Sequence, residues 1–194
     1  MSLSTEDMLH GAALLSLMQS MEDLGKEITY KISRGETKSC YQLLVHHSNN
    51  INSLNIGLYI KRSRKRLSPW RYTFSHENQH EIERLLDKND YLFLLLITDQ
   101  EGVAIIDYNT LKLLLDNHFD SSEWISVSRK LRENYRICGK NGKLDRALPK
   151  NDFPKRIIEY INTNLYQTKE IEPKRNRFNH YIRKIKNKFN SELK

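Results

Sequence analysis

The sequence predicts a mixed α/β domain, with a central mixed sheet flanked by helices and a basic helix at its C-terminal end. Its segments alternate in the order helix, strands, helix, strands, helix, as in domains that layer helices on a sheet. The run YLFLLLI (91–97) is apolar on both faces, which is typical of a central, covered strand. The chain has 194 residues, 38% apolar and 29% charged, which favours one globular core.

The first half of the chain is predicted to be a helix, three strands and a helix. Residues 4–29 carry apolar side chains at three- and four-residue spacing, and Ser4 or Thr5 can cap this helix. Strands are predicted at 39–47, 54–61 and 70–74, the last from the alternation in WRYTF. Ser75 begins a helix that reaches about Leu86.

The second half continues with two strands, YLFLLLITD and GVAIIDY, around a turn at 99–102. A short helix (NTLKLLLDNHF), two strands (WISVSRK and NYRICG) and a helix (FPKRIIEYINTNL) follow. The last predicted helix is PKRNRFNHYIRKIKNKFN. We expect residues 1–150 to form the α/β core and residues 151–194 a C-terminal helical extension.

Two basic segments stand out against an acidic remainder. The net charge is +8, but residues 37–76 contain seven Lys or Arg and no acid, and residues 173–194 contain eight with only Glu192. Each segment therefore carries +7, which leaves −6 for the rest of the chain. Such blocks indicate a surface that meets a polyanion, and DNA or another nucleic acid is the expected partner.

Cysteine use and hydropathy indicate a cytoplasmic protein. The only cysteines are Cys40 and Cys138, without a CxxC pair, and no basic secretory signal precedes the first apolar stretch. The longest apolar run is far shorter than the ~20 residues of a membrane span, so no membrane partner is expected.

The order of elements resembles the restriction-endonuclease-like, PD-(D/E)xK nuclease fold, and residues 15–116 are similar to archaeal-type Holliday-junction resolvases. The resemblance is carried by LYIK (58–61), by the helix of HENQH (76–80), and by the strands YLFLLLI and GVAIIDY. It implies that Lys61 is the catalytic lysine and Gln79 the glutamine of the helix. It also places Glu22 or Glu27 as an acid on the first helix, and it implies Mg²⁺ as the cofactor of an active enzyme.

The chain departs from this family at its metal-binding acids. The family needs one acid at the start of the hairpin and another two residues before the lysine, where Tyr59 stands. No Asp or Glu occurs between Glu36 and Glu77. We therefore expect a nuclease-fold module without cleavage activity and without a cofactor. The alternative is a metal-dependent nuclease whose acid has migrated to the helix, as Glu77 or Glu81.

The nucleic-acid-binding residues are predicted at the strand end and in the C-terminal helix. The candidates are Lys61, Arg62, Arg64, Lys65, Arg66, Trp70, Arg71, Arg183, Lys184, Lys186 and Lys188. Basic side chains bind phosphates without reading sequence. Trp70 is expected either in the core or against a base.

Two further hypotheses compete with this one. HENQH matches the H-E-x-x-H pattern of zinc peptidases, which makes His76 and His80 an alternative metal pair. The polar Asn78 and Gln79 inside the motif argue against it.

The C-terminal helix has an apolar stripe of Phe178, Ile182, Ile185 and Phe189, which also suits a protein partner. The chain would then be a non-catalytic adaptor. The nucleic-acid-binding module expected above would instead be a subunit of a larger DNA-processing or phage-defence complex.

Overall fold

The computed structural model of the chain describes residues 4–48, 53–116 and 121–165. The helices in these ranges are α1 (Thr5–Glu22), α2 (His76–Asp87), α3 (Tyr108–Leu114) and α4 (Asp152–Leu165). The strands are β1 (Ile28–Arg34), β2 (Cys40–His47), β3 (Ser53–Arg62), β4 (Trp70–Phe74), β5 (Tyr91–Ile97), β6 (Val103–Asp107), β7 (Glu123–Ser128) and β8 (Arg136–Gly139). The predicted mixed α/β class is confirmed.

Five strands form the main sheet, in the order β1-β2-β3-β5-β6. Only β3 and β5 run parallel, and the other neighbours are antiparallel. β5 is almost entirely buried, because both faces of its neighbourhood are covered, and this explains its unbroken apolar sequence. The parallel pair aligns Lys61 of β3 with Leu96 of β5, so both strands end at the same edge of the sheet.

The main sheet separates two apolar cores. On one face, α1 and α4 pack against alternate strand residues such as Leu43, Ile56, Leu58 and Ile105. On the other face, α2, α3 and a second sheet enclose a core that includes Tyr59, Leu94 and Ile106. Successive strand residues point to opposite faces, so Tyr59 and Lys61 lie on the α2 side whereas Leu58 and Ile60 face α1.

The first helix is shorter than predicted, and the strand that follows it was missed. α1 ends at Glu22, and Gly25 adopts a φ of 100°, which lets the chain reverse. Ile28 then begins β1, where it pairs with His47. The apolar spacing from Met21 to Ile28 fits a helix, but Ile28, Tyr30 and Ile32 also alternate as a strand edge, and sheet pairing decides between the two.

The strand WRYTF does not join the main sheet. β4 pairs with β7, and β7 with β8, in a separate three-stranded antiparallel sheet. Its inner face buries Trp70, Tyr72 and Phe74 in the core beside α2. The strands were predicted correctly, but their assignment to a second sheet depends on pairs such as Trp70 with Val127, which lie far apart in the chain.

The helix of the predicted C-terminal extension that is described here packs into the main core. Ile157, Ile161 and Leu165 of α4 are fully buried against α1 and the sheet. The predicted basic helix lies outside the described residues. No helix in the described ranges is both long and apolar enough to cross a membrane.

Candidate functional site

Lys61 is the penultimate residue of the central strand β3 and lies in a polar cluster beneath α2. Its ammonium donates a hydrogen bond to Asn78 Oδ1 at 2.5 Å and lies 5.1 Å from the ring centre of Phe74. Burial lowers the pKa of Lys61, while the negative charges of Glu81 and Glu6 act in the opposite direction. Lys61 is therefore a half-buried cation whose position is fixed by an amide oxygen.

Tyr59 lies two residues before Lys61 on the same face of the strand and is fully buried. Its hydroxyl donates to Glu81 Oε2 at 3.0 Å. Burial, with the adjacent Glu81 carboxylate, raises the pKa of Tyr59 well above its usual value. The phenol is thus neutral at all physiological pH values and serves as a donor to the acid.

Cys40 opens β2 directly opposite Tyr59. It is buried, and its sulfur accepts a hydrogen bond from the Thr37 hydroxyl at 3.3 Å. Burial raises the pKa of the Cys40 thiol. Two neutral side chains, Cys40 and Tyr59, therefore occupy adjacent strand positions beside Lys61. A protonated phenol and a soft thiol do not fit Mg²⁺, which binds charged or carbonyl oxygens.

The first turns of α2 hold the other half of the cluster. The Ser75 hydroxyl accepts from Asn78 N at 3.4 Å, and Asn78 Oδ1 in turn accepts from Ser75 N. This capping box anchors Asn78 at the position where it meets Lys61. Glu81 comes three residues later on the same helix face, and Asn78 Nδ2 lies 3.5 Å from its carboxylate.

Gln79, which the resemblance pairs with the lysine, points elsewhere. Its amide donates to the carbonyls of Phe74 and Ser121 at 3.1 and 3.0 Å and is buried between them. One residue along a helix rotates a side chain by about 100°, so Asn78 faces Lys61 and Gln79 does not. Sequence reasoning missed Asn78, although the Ser75–Asn78 capping pattern was a usable signal.

The acids expected on the first helix are also displaced. Glu22 ends α1, about 24 Å along the helix axis from Glu6, the acid of α1 that acts on Lys61. The first turn of α1 lies near the end of β1, since Asp7 pairs with Arg34 at 3.6 Å. Glu27 lies just before β1 and pairs with His47 at 3.2 Å. The structure brings neither Glu22 nor Glu27 to Lys61.

Residues 62–69, called the basic loop below, comprise the last residue of β3 and the connection to β4. Arg64, Lys65 and Arg66 are exposed, and Arg62 is half-buried. Ser63 anchors one end, donating its backbone N–H to Ile97 O, and Ser68 anchors the other by accepting from Arg129 N. Within the described residues these arginines and this lysine form no ion pair with an acid. Solvent screens their mutual repulsion, and their charge stays available to a polyanion.

Trp70 belongs to the core and is no longer a candidate for base stacking. It is 1% exposed and meets Tyr135 edge to face at 6.4 Å. The alternation of β4 turns Arg71 outward instead, where its guanidinium lies 4.4 Å from the ring centre of Trp124. Trp124 is partly exposed, and no motif in the sequence marked it as a candidate.

His76 and His80 occupy one face of the first turns of α2. Their Nε2 atoms are 3.2 Å apart, as in a hydrogen-bonded pair. The Ser75 side chain lowers the pKa of Glu77 between them. No group of three or more His, Cys, Asp or Glu in the part of the chain that the structure describes is arranged to hold a metal ion. The pair supplies two zinc ligands, one fewer than catalytic zinc sites use.

A cleft of about 300 Å³ lies between α2 and the β1–β2 turn. Its lining includes Arg34, Cys40, Glu81, Arg84 and Lys88. It therefore reaches Glu81, the carboxylate that accepts from Tyr59. The ion pair of Lys88 with Glu36 spans its wall.

The other predicted nucleic-acid ligands, Arg183, Lys184, Lys186 and Lys188, lie outside the described residues. No family model, curated protein or solved structure matches the chain.

Proposed function

We propose that the chain is a nucleic-acid-binding module built on a restriction-endonuclease-like core that lacks the usual metal-binding acids. The observation that carries the proposal is the basic loop, an exposed and acid-free cationic segment at the end of the strand that carries Lys61. Backbone phosphates of DNA are the partner that such a segment suits best, since they need charge without base readout.

The topology supports the core assignment. A helix precedes a hairpin of β2 and β3, and β3 runs parallel to β5 with α2 between them in the chain. Lys61 lies near the end of β3, beside β5. The resemblance implies this placement. Tyr59 stands two residues before Lys61, where the family carries an acid, and Cys40 lies opposite Tyr59 on β2.

A salt titration of duplex binding tests the proposal. We expect the logarithm of the association constant to fall with the logarithm of the salt concentration, with a slope of several units. Arg64→Glu should weaken binding and reduce the magnitude of this slope by about one or two units. Lys26→Glu is the matched control, because it makes the same charge change in the exposed α1–β1 turn. A flat salt response, or no binding at low salt, would contradict the proposal.

One observation favours the alternative of a nuclease with a migrated acid. Glu81 accepts from Tyr59 and acts electrostatically on Lys61, so one carboxylate does reach the cluster. The test incubates the protein with supercoiled and branched DNA and Mg²⁺ or Mn²⁺. The binding proposal expects no cleavage above a buffer control. Cleavage that Lys61→Ala and Glu81→Gln both abolish would replace it with the nuclease.

The proposed biological setting is a larger DNA-processing or defence complex in which this chain contributes binding rather than chemistry. It rests on the fold analogy and on the basic C-terminal sequence. A pull-down from the native host, performed with and without nuclease treatment, separates partners bound through DNA from partners bound directly. Loss of every partner after nuclease treatment would leave no support for direct assembly.

A further inference from the structure

The outer face of the β4-β7-β8 sheet carries basic, aromatic and small polar side chains that are not part of the basic loop. Its inner face is buried in the core, so the alternate residues of each strand point outward. The outward side chains are Arg71, Thr73, Trp124, Ser126, Ser128, Arg136 and Cys138. No carboxylate is among them, although acids make up 24 of the 194 residues.

Strand register arranges these side chains in rows. Ser128 pairs with Arg136 in the first row. Arg71, Ser126 and Cys138 are aligned in the second, and Lys143 extends it through its bridge to Cys138. Thr73 and Trp124 form the third. The three rows cover about 13 Å along the strands, and three cations lie on or beside them.

Trp124 and Arg71 form a stacked pair in this face. The guanidinium lies 4.4 Å from the indole centre, and both planar groups reach the surface. Nucleic-acid bases stack on aromatic rings and on guanidinium planes, and every base offers such a π-face. A duplex hides its bases from a flat sheet, whereas a single strand exposes them.

The face is continuous with the basic loop. The loop ends at Pro69, and Arg71 is the first outward residue of β4. Arg129, which follows the last residue of β7, donates its backbone N–H to Ser68 in the loop. The loop and this sheet face therefore adjoin, so that one nucleic-acid strand can contact both.

We propose that the outer face of the β4-β7-β8 sheet binds single-stranded nucleic acid, with bases stacked on Trp124 and Arg71 and phosphates held by Arg136 and Lys143. The inference rests on the proposed nucleic-acid function and adds a substrate form to it, a duplex with a single-stranded branch or end. A patch of this size takes two or three bases, as exposed sheets of RNA-binding domains do.

The test measures binding of fluorescein-labelled 12-nucleotide oligothymidylate and oligouridylate to the full chain, beside a blunt 20-base-pair duplex. Trp124→Ala should weaken single-strand binding about 5- to 100-fold, which is the worth of one stacked base, and change duplex binding less than about twofold. Arg136→Glu should weaken it as well, without disturbing the core, since this side chain is exposed. Lys26→Glu again serves as the control for charge.

Tryptophan emission gives a second readout, because the chain has only Trp70 and Trp124. Addition of the oligonucleotide should quench the tryptophan fluorescence of the Trp70→Phe variant, whose remaining Trp124 lies on the outer sheet face. It should leave the fluorescence of the Trp124→Phe variant unchanged. The inference fails if both Trp124→Ala and Arg136→Glu bind single strands like the parent chain. It also fails if Trp124→Ala changes only the sedimentation behaviour, which would make the face a protein interface.

The two proposals fail separately. If Arg64→Glu weakens duplex binding while the Trp124 and Arg136 variants leave single-strand binding intact, the loop proposal stands and the sheet proposal falls. If the parent chain binds neither form at low salt, both fall.

Discussion

At the scale of single residues, the Lys61 cluster is organised by hydrogen bonds that neutral side chains make. A half-buried ammonium needs oxygen partners, because desolvation otherwise favours its neutral form. Asn78 supplies one such oxygen, and Glu81 supplies a negative charge nearby. Tyr59 satisfies the Glu81 carboxylate in turn. The polar and charged groups of the cluster therefore satisfy one another through these contacts.

Tyr59→Phe tests this balance through its pH dependence. At pH 7 we expect a loss of about 1–2 kcal/mol in the free energy of unfolding, because a buried hydrogen bond to a carboxylate disappears. The raised pKa of Tyr59 means that the unfolded phenol ionises above about pH 10 while the folded one does not. The unfolded state then binds fewer protons, so the parent chain loses stability as pH rises above 10. The variant lacks the part of this loss that Tyr59 contributes, while the other buried tyrosines contribute equally in both chains.

Chemical denaturation at pH 7, 9, 10 and 11 measures the difference in the free energy of unfolding between the parent chain and Tyr59→Phe. We expect this difference to be constant to pH 9 and to become smaller above pH 10. Tyr30→Phe is the control, since that hydroxyl is at the sheet edge and lies 3.4 Å from the Met18 carbonyl. A difference that stays constant to pH 11 would show that Tyr59 is not held neutral by the fold.

At the scale of elements, helix caps place the side chains of the site. Ser4 and Ser75 cap α1 and α2 with the same capping-box arrangement. At α2 the box also fixes Asn78, whose oxygen holds Lys61. At α1 the corresponding residue is Asp7, which pairs with Arg34 at the edge of the sheet. The two caps therefore differ in what they support, although they are alike locally.

Ser75→Ala and Ser4→Ala form a matched pair. Each should reduce the free energy of unfolding by about 0.5–2 kcal/mol, the usual worth of an N-cap. Only Ser75→Ala should also change the duplex affinity, because loss of the hydroxyl that accepts from Asn78 N loosens the turn that holds Asn78 against the Lys61 ammonium. Equilibrium unfolding and duplex titration at one salt concentration check the two effects. Equal affinities for the two variants would separate Lys61 from nucleic-acid binding.

At the scale of the whole molecule, both faces of the main sheet must be covered, and the two halves of the chain share this task. α1 comes from the N-terminal part and α4 from the predicted C-terminal extension, yet both pack on one face. The other face is covered by α2, α3 and the second sheet. The basic loop leaves the main sheet at the edge where β3 and β5 end and leads into the second sheet.

A chain that ends at residue 150 should fail to fold. It would lack Ile157, Ile161 and Leu165, each worth about 1.5–3 kcal/mol when buried, against a typical total stability of about 5–15 kcal/mol. A chain that ends at residue 170 keeps α4 and is the control. Thermal unfolding followed by circular dichroism compares them. If the shorter chain unfolds cooperatively within a few degrees of the longer one, the domain boundary predicted at 150 is a real one.

The two basic segments are predicted to act on one polyanion. Residues 61–71 and 174–188 together concentrate positive charge, and we expect them to lie on one continuous face, although the second segment is outside the described residues. Arg64→Glu and Lys184→Glu should each weaken DNA binding regardless of sequence and reduce the salt slope by about one or two units. Unchanged DNA binding in Lys184→Glu, with loss of a protein complex in Ile182→Asp, would identify an assembly helix instead.

The sequence by itself determined the α/β class, the order of most elements, the covered interior strand YLFLLLI and the basic loop at the end of β3. These follow from local periodicity, from caps such as Ser75 and from charge density, which a chain carries wherever it folds. Tertiary structure decided what pairing and packing control. Sheet pairing placed Ile28 in β1 rather than in α1, and it placed β4 in the second sheet. Packing buried Trp70 and left Trp124 at the surface. It also decided that Asn78, and not Gln79, accepts the hydrogen bond from Lys61. Neighbouring helix residues point about 100° apart, and the face that α2 turns toward β3 depends on how the helix packs, which periodicity alone does not fix.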